Sequence, residues 1–111
     1  MATFLTDYSP FFVGDDPSAA SASLDYGFYE IGTGTATSWT LPAPRAGAVF
    51  SMIAGGTSTA TKTLVTNATG VTLNVEGDRT VTFNGEGDMI TLVGRSATRW
   101  QVIAKESVVL S

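Results

Sequence analysis

Two acidic turns of nearly the same sequence contain the residues whose types and spacing could do chemistry. Glu76-Gly77-Asp78 and Glu86-Gly87-Asp88 stand ten residues apart. Carboxylates beside glycines can ligate calcium, which takes several hard oxygen ligands. The alternative is a pair of β-turns, because Gly and Asp both suit turn geometry. We favour the turns, since the motif does not recur in the register of a calcium-binding repeat. We predict neither a metal ion nor a cofactor.

Paired carboxylates could also act as the acid and base of a glycosidase, with Trp39 and Trp100 as stacking platforms for a sugar. Each Trp could equally be a core or interface residue on a strand, as large aromatic side chains usually are. The chain has no His and no Cys. Their absence excludes a Ser-His-Asp triad, a thiolate nucleophile and metal sites built from imidazole or thiolate ligands. We therefore predict that the chain is not an enzyme and assign no catalytic residue.

Charge and hydropathy argue against two further classes of partner. Six Lys and Arg stand against ten Asp and Glu, which gives a net charge of -4. This balance disfavours binding of nucleic acid through a basic surface. Arg95 and Arg99 flank Trp100 and could stack or pair across strands, and the alternative is a solvated strand end. The longest apolar run is far shorter than the roughly 18 residues of a membrane span, and the N-terminus lacks the basic segment of a signal peptide. We expect synthesis in a cytoplasm and no membrane partner.

Short strands between turns must position these residues. The chain contains 17 Thr and 10 Ser, and Thr and Val favour strands because branching at Cβ suits a pleated surface. From residue 26 onward, apolar and polar residues alternate between turns at a spacing typical of sandwiches and barrels. We predict an all-β fold, a compact antiparallel sandwich or barrel of about eight short strands. The predicted strands cover residues 28–32, 37–41, 48–54, 61–66, 71–75, 79–83, 89–93, 98–104 and 107–110.

The first 25 residues differ in character from the rest. Residues 1–44 contain five acidic residues and no Lys or Arg, so that all six basic residues follow them. Residues 18–23 fit either a short helical turn or a linker. We predict an extended N-terminal arm over residues 1–25 and a β domain over residues 26–111. Because exposed aromatic side chains favour burial, the arm should lie on its own domain, on a neighbouring subunit or on a partner.

Two sets of residues are candidates for contacts between chains. The arm would bind its partner through aromatic and acidic side chains, namely Phe4, Tyr8, Phe11, Phe12, Asp15 and Asp16. A small domain would gain from oligomerisation, which adds buried surface and covers strand edges. The candidate oligomer contacts are Trp39, Phe50 and Trp100. For each of the three, a place in the core of its own subunit is an equally good interpretation.

The order of motifs over residues 37–106 resembles that of a known family. Ser38-Trp39-Thr40-Leu41-Pro42-Ala43-Pro44 precedes Gly47-Ala48-Val49-Phe50-Ser51-Met52-Ile53, and Gly87-Asp88-Met89-Ile90-Thr91-Leu92-Val93-Gly94 precedes Thr98-Arg99-Trp100-Gln101-Val102. This order resembles small head decoration (cement) proteins of tailed bacteriophages and related β-modules in phage fibre proteins. The strand that contains Trp100 is the best single marker of the resemblance.

The resemblance implies a β-sandwich or barrel, often assembled as a trimer, on the exterior of the virion. Such a protein binds the outer surface of the phage head at junctions between major capsid subunits and stabilises the shell. The implied partners are the major capsid protein and further copies of the same chain. The alternative is a carbohydrate- or receptor-binding module of a phage tail fibre or tail tip, which should expose Trp39, Trp100 or Tyr residues on one face.

Overall fold

The computed structural model describes residues 12–15, 22–31, 37–55 and 61–111, and within these ranges all regular structure is β. No helix in this described part has the length and hydropathy needed to cross a membrane. The strands are β1 (Phe12–Asp15), β2 (Ala22–Ser23), β3 (Gly27–Ile31), β4 (Ser38–Thr40), β5 (Val49–Ala54), β6 (Lys62–Val65), β7 (Thr80–Phe83), β8 (Met89–Ser96), β9 (Arg99–Glu106) and β10 (Val109–Leu110).

Two five-stranded sheets contain all of these strands. Sheet A has the order β1-β3-β5-β8-β9, and sheet B has the order β10-β7-β6-β4-β2. Buried side chains of both sheets form one hydrophobic cluster, so the sheets pack face to face with the core between them. The prediction of a compact all-β fold is confirmed.

The prediction that the strands are antiparallel is wrong for the first half of the chain. β1, β3 and β5 pair in parallel in sheet A, and β2, β4 and β6 pair in parallel in sheet B. These six strands alternate between the sheets, so the chain winds from one sheet to the other as in a β-helix. A parallel pair needs a connection that leaves the sheet and returns, and here the strand of the opposite sheet supplies it.

The last four strands add antiparallel pairs to the parallel ones. β7 pairs with β6 and β10 in sheet B, and β8 pairs with β5 and β9 in sheet A. Both sheets are therefore mixed, with three parallel strands followed by two antiparallel strands. A period of two in hydropathy arises in either kind of pair, so the alternation that we identified in the sequence did not distinguish them.

The three predicted oligomer contacts lie in the core of their own chain. Trp39, Phe50 and Trp100 each have 0% of their side-chain surface exposed. A side chain with no exposed surface leaves nothing for a second chain to touch, so their assignment to subunit contacts is wrong and the core interpretation is correct. Trp39 is on β4 in sheet B, whereas Phe50 and Trp100 are on β5 and β9 in sheet A.

Residues 71–75, which we predicted as a strand, form a turn instead. Only Thr72 makes a β-bridge, to Arg99. Asn74 then closes a loop, because its Oδ1 accepts a hydrogen bond from the Asp78 N–H at 2.9 Å and its Nδ2 donates to Asp78 Oδ2 at 2.8 Å. Asn and Asp side chains compete in this way with strand pairing. Val75 is 77% exposed as a result, although Val71 and Leu73 are buried.

The segment predicted as an N-terminal arm contains two strands of the sheets. Phe12–Asp15 pairs with β3 at one edge of sheet A, and Ala22–Ser23 pairs with β4 at one edge of sheet B. These two pieces therefore lie on their own domain. Residues 1–11 and 16–21 are outside the described ranges, so the division of the chain after residue 25 stays a prediction.

Candidate functional site

The outer face of sheet A is unusually apolar. Along β5, Phe50, Met52 and Ala54 are buried, and successive strand residues point to opposite sides. The same alternation on β3 and β8 directs a second set of side chains away from the core. This set, which we call the apolar outer face, consists of Phe28, Val49, Ile53, Met89 and Val93.

The side chains of the apolar outer face are exposed to an extent that is uncommon for large hydrophobic residues. Phe28 is 40% exposed, Val49 is 38% exposed and Ile53 is 42% exposed. At its centre, Ser51 and Thr91 share a hydrogen bond of 2.9 Å between their hydroxyl oxygens, and Ser51 Oγ also donates to the Ile90 carbonyl at 3.3 Å. Because these hydroxyl groups form hydrogen bonds with each other and with the backbone, the centre of the face has few polar groups left to bind water.

Carboxylates border one end of this face. Glu30, Ile53, Met89 and Glu106 lie side by side in register across β3, β5, β8 and β9. The two Glu residues therefore stand on either side of the apolar pair between them. A surface that docks here would best match it with an apolar centre and basic residues near these two carboxylates.

Strand β9 is the edge strand of sheet A, and beyond the bridge between Thr72 and Arg99 at its start no described residue pairs with its outer side. It has eight residues, and its register shifts between the pairs Thr91–Ala104 and Leu92–Val102, so that Ile103 forms a bulge. Ile103 is 58% exposed. A free edge offers unpaired backbone groups to another chain, and bulges and Lys residues reduce that tendency. β9 therefore carries an exposed apolar side chain, Ile103, that another chain could contact. It also carries a charged side chain, Lys105, that reduces unspecific pairing of the edge.

The outer face of sheet B has the opposite chemistry. On β4, β6 and β7 the buried residues alternate with half-buried hydroxyl residues. Ser38, Thr63 and Thr82 form one row across these strands, and Thr40, Val65 and Thr80 form the next. We call Ser38, Thr40, Thr63, Thr80 and Thr82 the hydroxyl face.

The second acidic turn uses its Asp residue for its own structure. Asp88 is 7% exposed, and its Oδ2 accepts hydrogen bonds from the N–H groups of Asn84 at 2.7 Å and Gly85 at 3.2 Å. Gly87 has φ of +92°, a conformation that favours glycine. Among the described residues, no group of three or more His, Cys, Asp or Glu side chains is placed to hold a metal ion.

The sugar platforms that a glycosidase or a receptor module would require are not at the surface. Trp39 lies in the core with Lys62 Nζ 5.7 Å from its ring centroid. Trp100 packs against Tyr26 at 6.3 Å between ring centroids. Its Nε1 is the one buried side-chain polar atom in the described part of the chain without a hydrogen-bond partner. The expectation that either Trp could present an exposed stacking surface is wrong.

The structure describes only two of the six arm residues that we predicted to bind a partner. Phe4, Tyr8, Phe11 and Asp16 lie outside the described residues. Phe12 and Asp15 are the first and last residues of β1, and only their backbone is described. Their role in binding a partner stays a prediction.

A small basic pocket lies at the turn between β8 and β9. Arg95, Ser96, Thr98 and Arg99 line it. From the sequence, Arg95 and Arg99 were interpreted as partners for stacking or pairing beside Trp100, or as a solvated strand end. The spacing of these residues did not suggest a pocket, because the turn and bulge that bring them together depend on how β8 pairs with β9.

Comparison with known proteins identifies no family for this chain. No protein-family model matches it, and no curated protein matches it at a significant level.

Proposed function

We propose that this protein is a capsid decoration protein of a tailed bacteriophage, a homotrimer that binds the exterior of the head at junctions between major capsid subunits and stabilises the shell. We propose the major capsid protein as the partner because residues 37–106 resemble such decoration proteins. The protein acts by binding and not as an enzyme. It is made in the host cytoplasm and resides on the virion.

The observation that carries this proposal is the apolar outer face of sheet A. A contiguous exposed apolar surface is typical of protein interaction sites. Phe28, Val49 and Ile53 are each about two-fifths exposed in the single chain. Docking of this face on the shell would remove them from water, and each apolar square ångström buried contributes about 25 cal/mol.

The hydroxyl face and the edge of sheet A support the same arrangement. With the apolar outer face on the shell, the hydroxyl face would lie outward, where hydroxyl groups remain hydrated. The edge strand β9, with Ile103 at 58% exposure, is then the candidate contact between subunits. Trimer formation would cover this edge, which a free subunit leaves open to association.

The alternative, a carbohydrate- or receptor-binding module of a phage fibre, finds less support. Recognition of sugars by stacking needs an exposed aromatic platform, and both Trp side chains are buried. Phe28 is the exposed aromatic residue among the described side chains, and a single Phe ring opposite Ser51 is not a stacking platform of the Trp or Tyr type that we expected for such a module.

Co-sedimentation with empty shells tests the proposal directly. The full chain is mixed with undecorated capsids of the phage that encodes it, and the pelleted fraction is measured after its mass has been determined by light scattering. Ile53→Asp places a charge on the apolar outer face, and Thr82→Asp places the same charge on the hydroxyl face as the matched control. Deletion of residues 2–11 tests the remaining part of the arm while leaving β1 intact.

A trimer that pellets with shells, with binding weakened at least tenfold by Ile53→Asp and little changed by Thr82→Asp, is the expected result. Equal binding by both variants would show that the apolar outer face is not the contact. Failure of the unmodified protein to bind shells would overturn the proposed function, and binding of a glycan by that same protein would favour the fibre module.

A further inference from the structure

We propose that the pocket at the β8–β9 turn is a binding site for a tetrahedral oxyanion, a phosphate or sulfate group. The pocket has a volume of about 280 Å³ and is lined by Arg95, Ser96, Thr98 and Arg99. The site is separate from the apolar outer face and does not rest on the proposed function.

A β-bulge is the reason that these side chains come together. The register of β8 and β9 shifts between the pairs Gly94–Trp100 and Ser96–Arg99, so Arg95 is the extra residue on β8. In a bulge, two residues of one strand lie opposite one residue of the other. Arg95 and Ser96 therefore both lie opposite Arg99. In a regular strand, two neighbouring residues would lie opposite different residues and point to opposite faces of the sheet. Bulges are frequent beside binding sites because they redirect side chains in this way.

Arg99 is held in place before any ligand arrives. Its Nε donates a hydrogen bond of 2.8 Å to Thr72 Oγ1. The backbone on either side is fixed to the same residue, since Thr72 N–H donates to the Thr98 carbonyl at 3.1 Å and Trp100 N–H donates to the Thr72 carbonyl at 3.0 Å. No residue that the structure describes forms a hydrogen bond with the two terminal nitrogens of this guanidinium. A preorganised donor loses less conformational entropy when it binds a ligand.

The hydroxyl groups of the turn can complete the set of donors. Ser96 Oγ accepts a hydrogen bond from the Thr98 N–H at 3.3 Å. This bond uses a lone pair of the oxygen, so the hydroxyl hydrogen of Ser96 is free to donate into the pocket. Thr98 contributes a second hydroxyl to the lining.

Unbalanced positive charge favours an anion at this turn. The Arg95 side chain is exposed and forms no hydrogen bond or ion pair with any residue that the structure describes. The described hydrogen bond of the Arg99 side chain goes to a neutral hydroxyl. Guanidinium groups bind oxyanions through paired hydrogen bonds of greater strength than neutral ones. Two guanidinium groups and two hydroxyls offer more donors than the two oxygens of a carboxylate can use, and they suit the four oxygens of a tetrahedral anion better.

Nuclear magnetic resonance of the ¹⁵N-labelled full chain tests this proposal. Spectra that include the Arg Nε–H groups are recorded during titration with sodium phosphate, with glucose 6-phosphate or with sodium acetate, and sodium chloride at matched ionic strength is the reference. Arg95→Gln removes one guanidinium from the pocket at an exposed position. Lys105→Gln removes the same charge from β9 outside the pocket and is the matched control.

Saturable shifts at residues 95–99 on addition of phosphate are expected, with affinity reduced at least fivefold in Arg95→Gln and changed by less than twofold in Lys105→Gln. Binding of phosphate without glucose 6-phosphate would assign the site to the free ion, whereas binding of both would assign it to phosphate groups of larger molecules. The proposal is overturned if chloride produces the same shifts, if Arg95→Gln binds as the unmodified chain does, or if acetate binds as tightly as phosphate.

Discussion

The outer faces of sheets A and B differ in chemistry, although each sheet contributes five strands and both contribute to a shared core. Sheet A presents Phe28, Val49 and Ile53 to its surroundings, whereas sheet B presents mainly Ser and Thr, with Val65 in one row and Val109 of β10 beside Thr82. In both sheets, outward-facing residues alternate with buried residues along the strands, with a period of two. Folding of the single chain requires only the inner faces to be apolar, so an apolar outer face calls for another explanation, and contact with a partner is the one that we propose.

The largest expected effect on stability is the difference between an inward-facing and an outward-facing position on one strand. Leu64 on β6 is 0% exposed, and Leu64→Ala should lower the free energy of unfolding by about 2–5 kcal/mol, because it removes buried methyl groups and leaves a cavity. Thr63→Ala on the adjacent outward position should cost less than about 1 kcal/mol. Chemical denaturation of the two variants measures the difference. Similar losses would show that the hydroxyl face is part of the stabilising core.

A smaller effect is expected in the turn that joins the two sheets. The turn that contains Asp88 connects β7 of sheet B to β8 of sheet A and also binds the end of β5, through hydrogen bonds of 2.8 Å and 2.7 Å with the backbone of Ala54. Asp88→Ala should destabilise the fold by about 1–3 kcal/mol, because the partly buried hydrogen bonds from the Asn84 and Gly85 N–H groups to its carboxylate are lost. Glu86→Ala, in the same turn but exposed, is the control.

Thermal melting of these two variants with and without calcium also tests the role of the turn. We expect the Tm of the unmodified chain to be the same in calcium and in a chelator. A rise in Tm with calcium that disappears in Asp88→Ala would replace the turn interpretation with a calcium site.

The inner side of sheet A contains a group that makes stability depend on pH. Burial raises the pKa of the Tyr29 phenol, whose hydroxyl hydrogen-bonds with the backbone of Asp25 at 3.1 Å. The unfolded chain loses this proton first, at its usual pKa near 10. The contribution of Tyr29 to the free energy of unfolding is therefore fully present below pH 10 and is lost as the pH rises through the higher pKa of the folded state. Tyr29→Phe should flatten this decline in a series of denaturation curves, and an unchanged decline would place its cause elsewhere.

The smallest expected effect on stability comes from exchanging the chemistry of the two outer faces. Ile53→Thr and Thr82→Val should each change the free energy of unfolding by about 0.5 kcal/mol or less, because both positions lie on the surface side of their strands. Their effects on shell binding should differ, with a loss for Ile53→Thr and none for Thr82→Val. A large loss of stability in Ile53→Thr would indicate that the apolar outer face is needed for folding.

Sequence reasoning succeeded where the signal was local. The strands β5, β7 and β8 were predicted at nearly their observed positions, because β7 alternates apolar and polar residues, and β5 and β8 begin as short, mainly apolar runs between turns. It failed at residues 71–75, where the same alternation is present but the side chains of Asn74 and Asp78 close a loop. It also missed β1 and β2 as strands, because their partners β3 and β4 are distant in sequence and their own residues show no period.

The candidate sites were predicted less well than the strands. Aromatic residues drew attention to Trp39, Phe50 and Trp100, yet all three are in the core. The residues that do form an exposed apolar surface are aliphatic ones such as Val49 and Ile53, which in the sequence look like any strand residue. The four residues of the basic pocket are adjacent in the sequence, but the bulge that gathers them depends on pairing with β9.

The sequence by itself determined that the described part of this chain is all β, that the chain lacks the side chains for His or Cys chemistry, and where most turns fall, because composition and local periodicity set these properties. Only the tertiary structure decided which strands are parallel, which aromatic residues are buried and which apolar side chains face outward. The physical reason is that period-two hydropathy separates the two sides of a strand. Which side meets the other sheet depends on pairing between residues that are far apart in the chain.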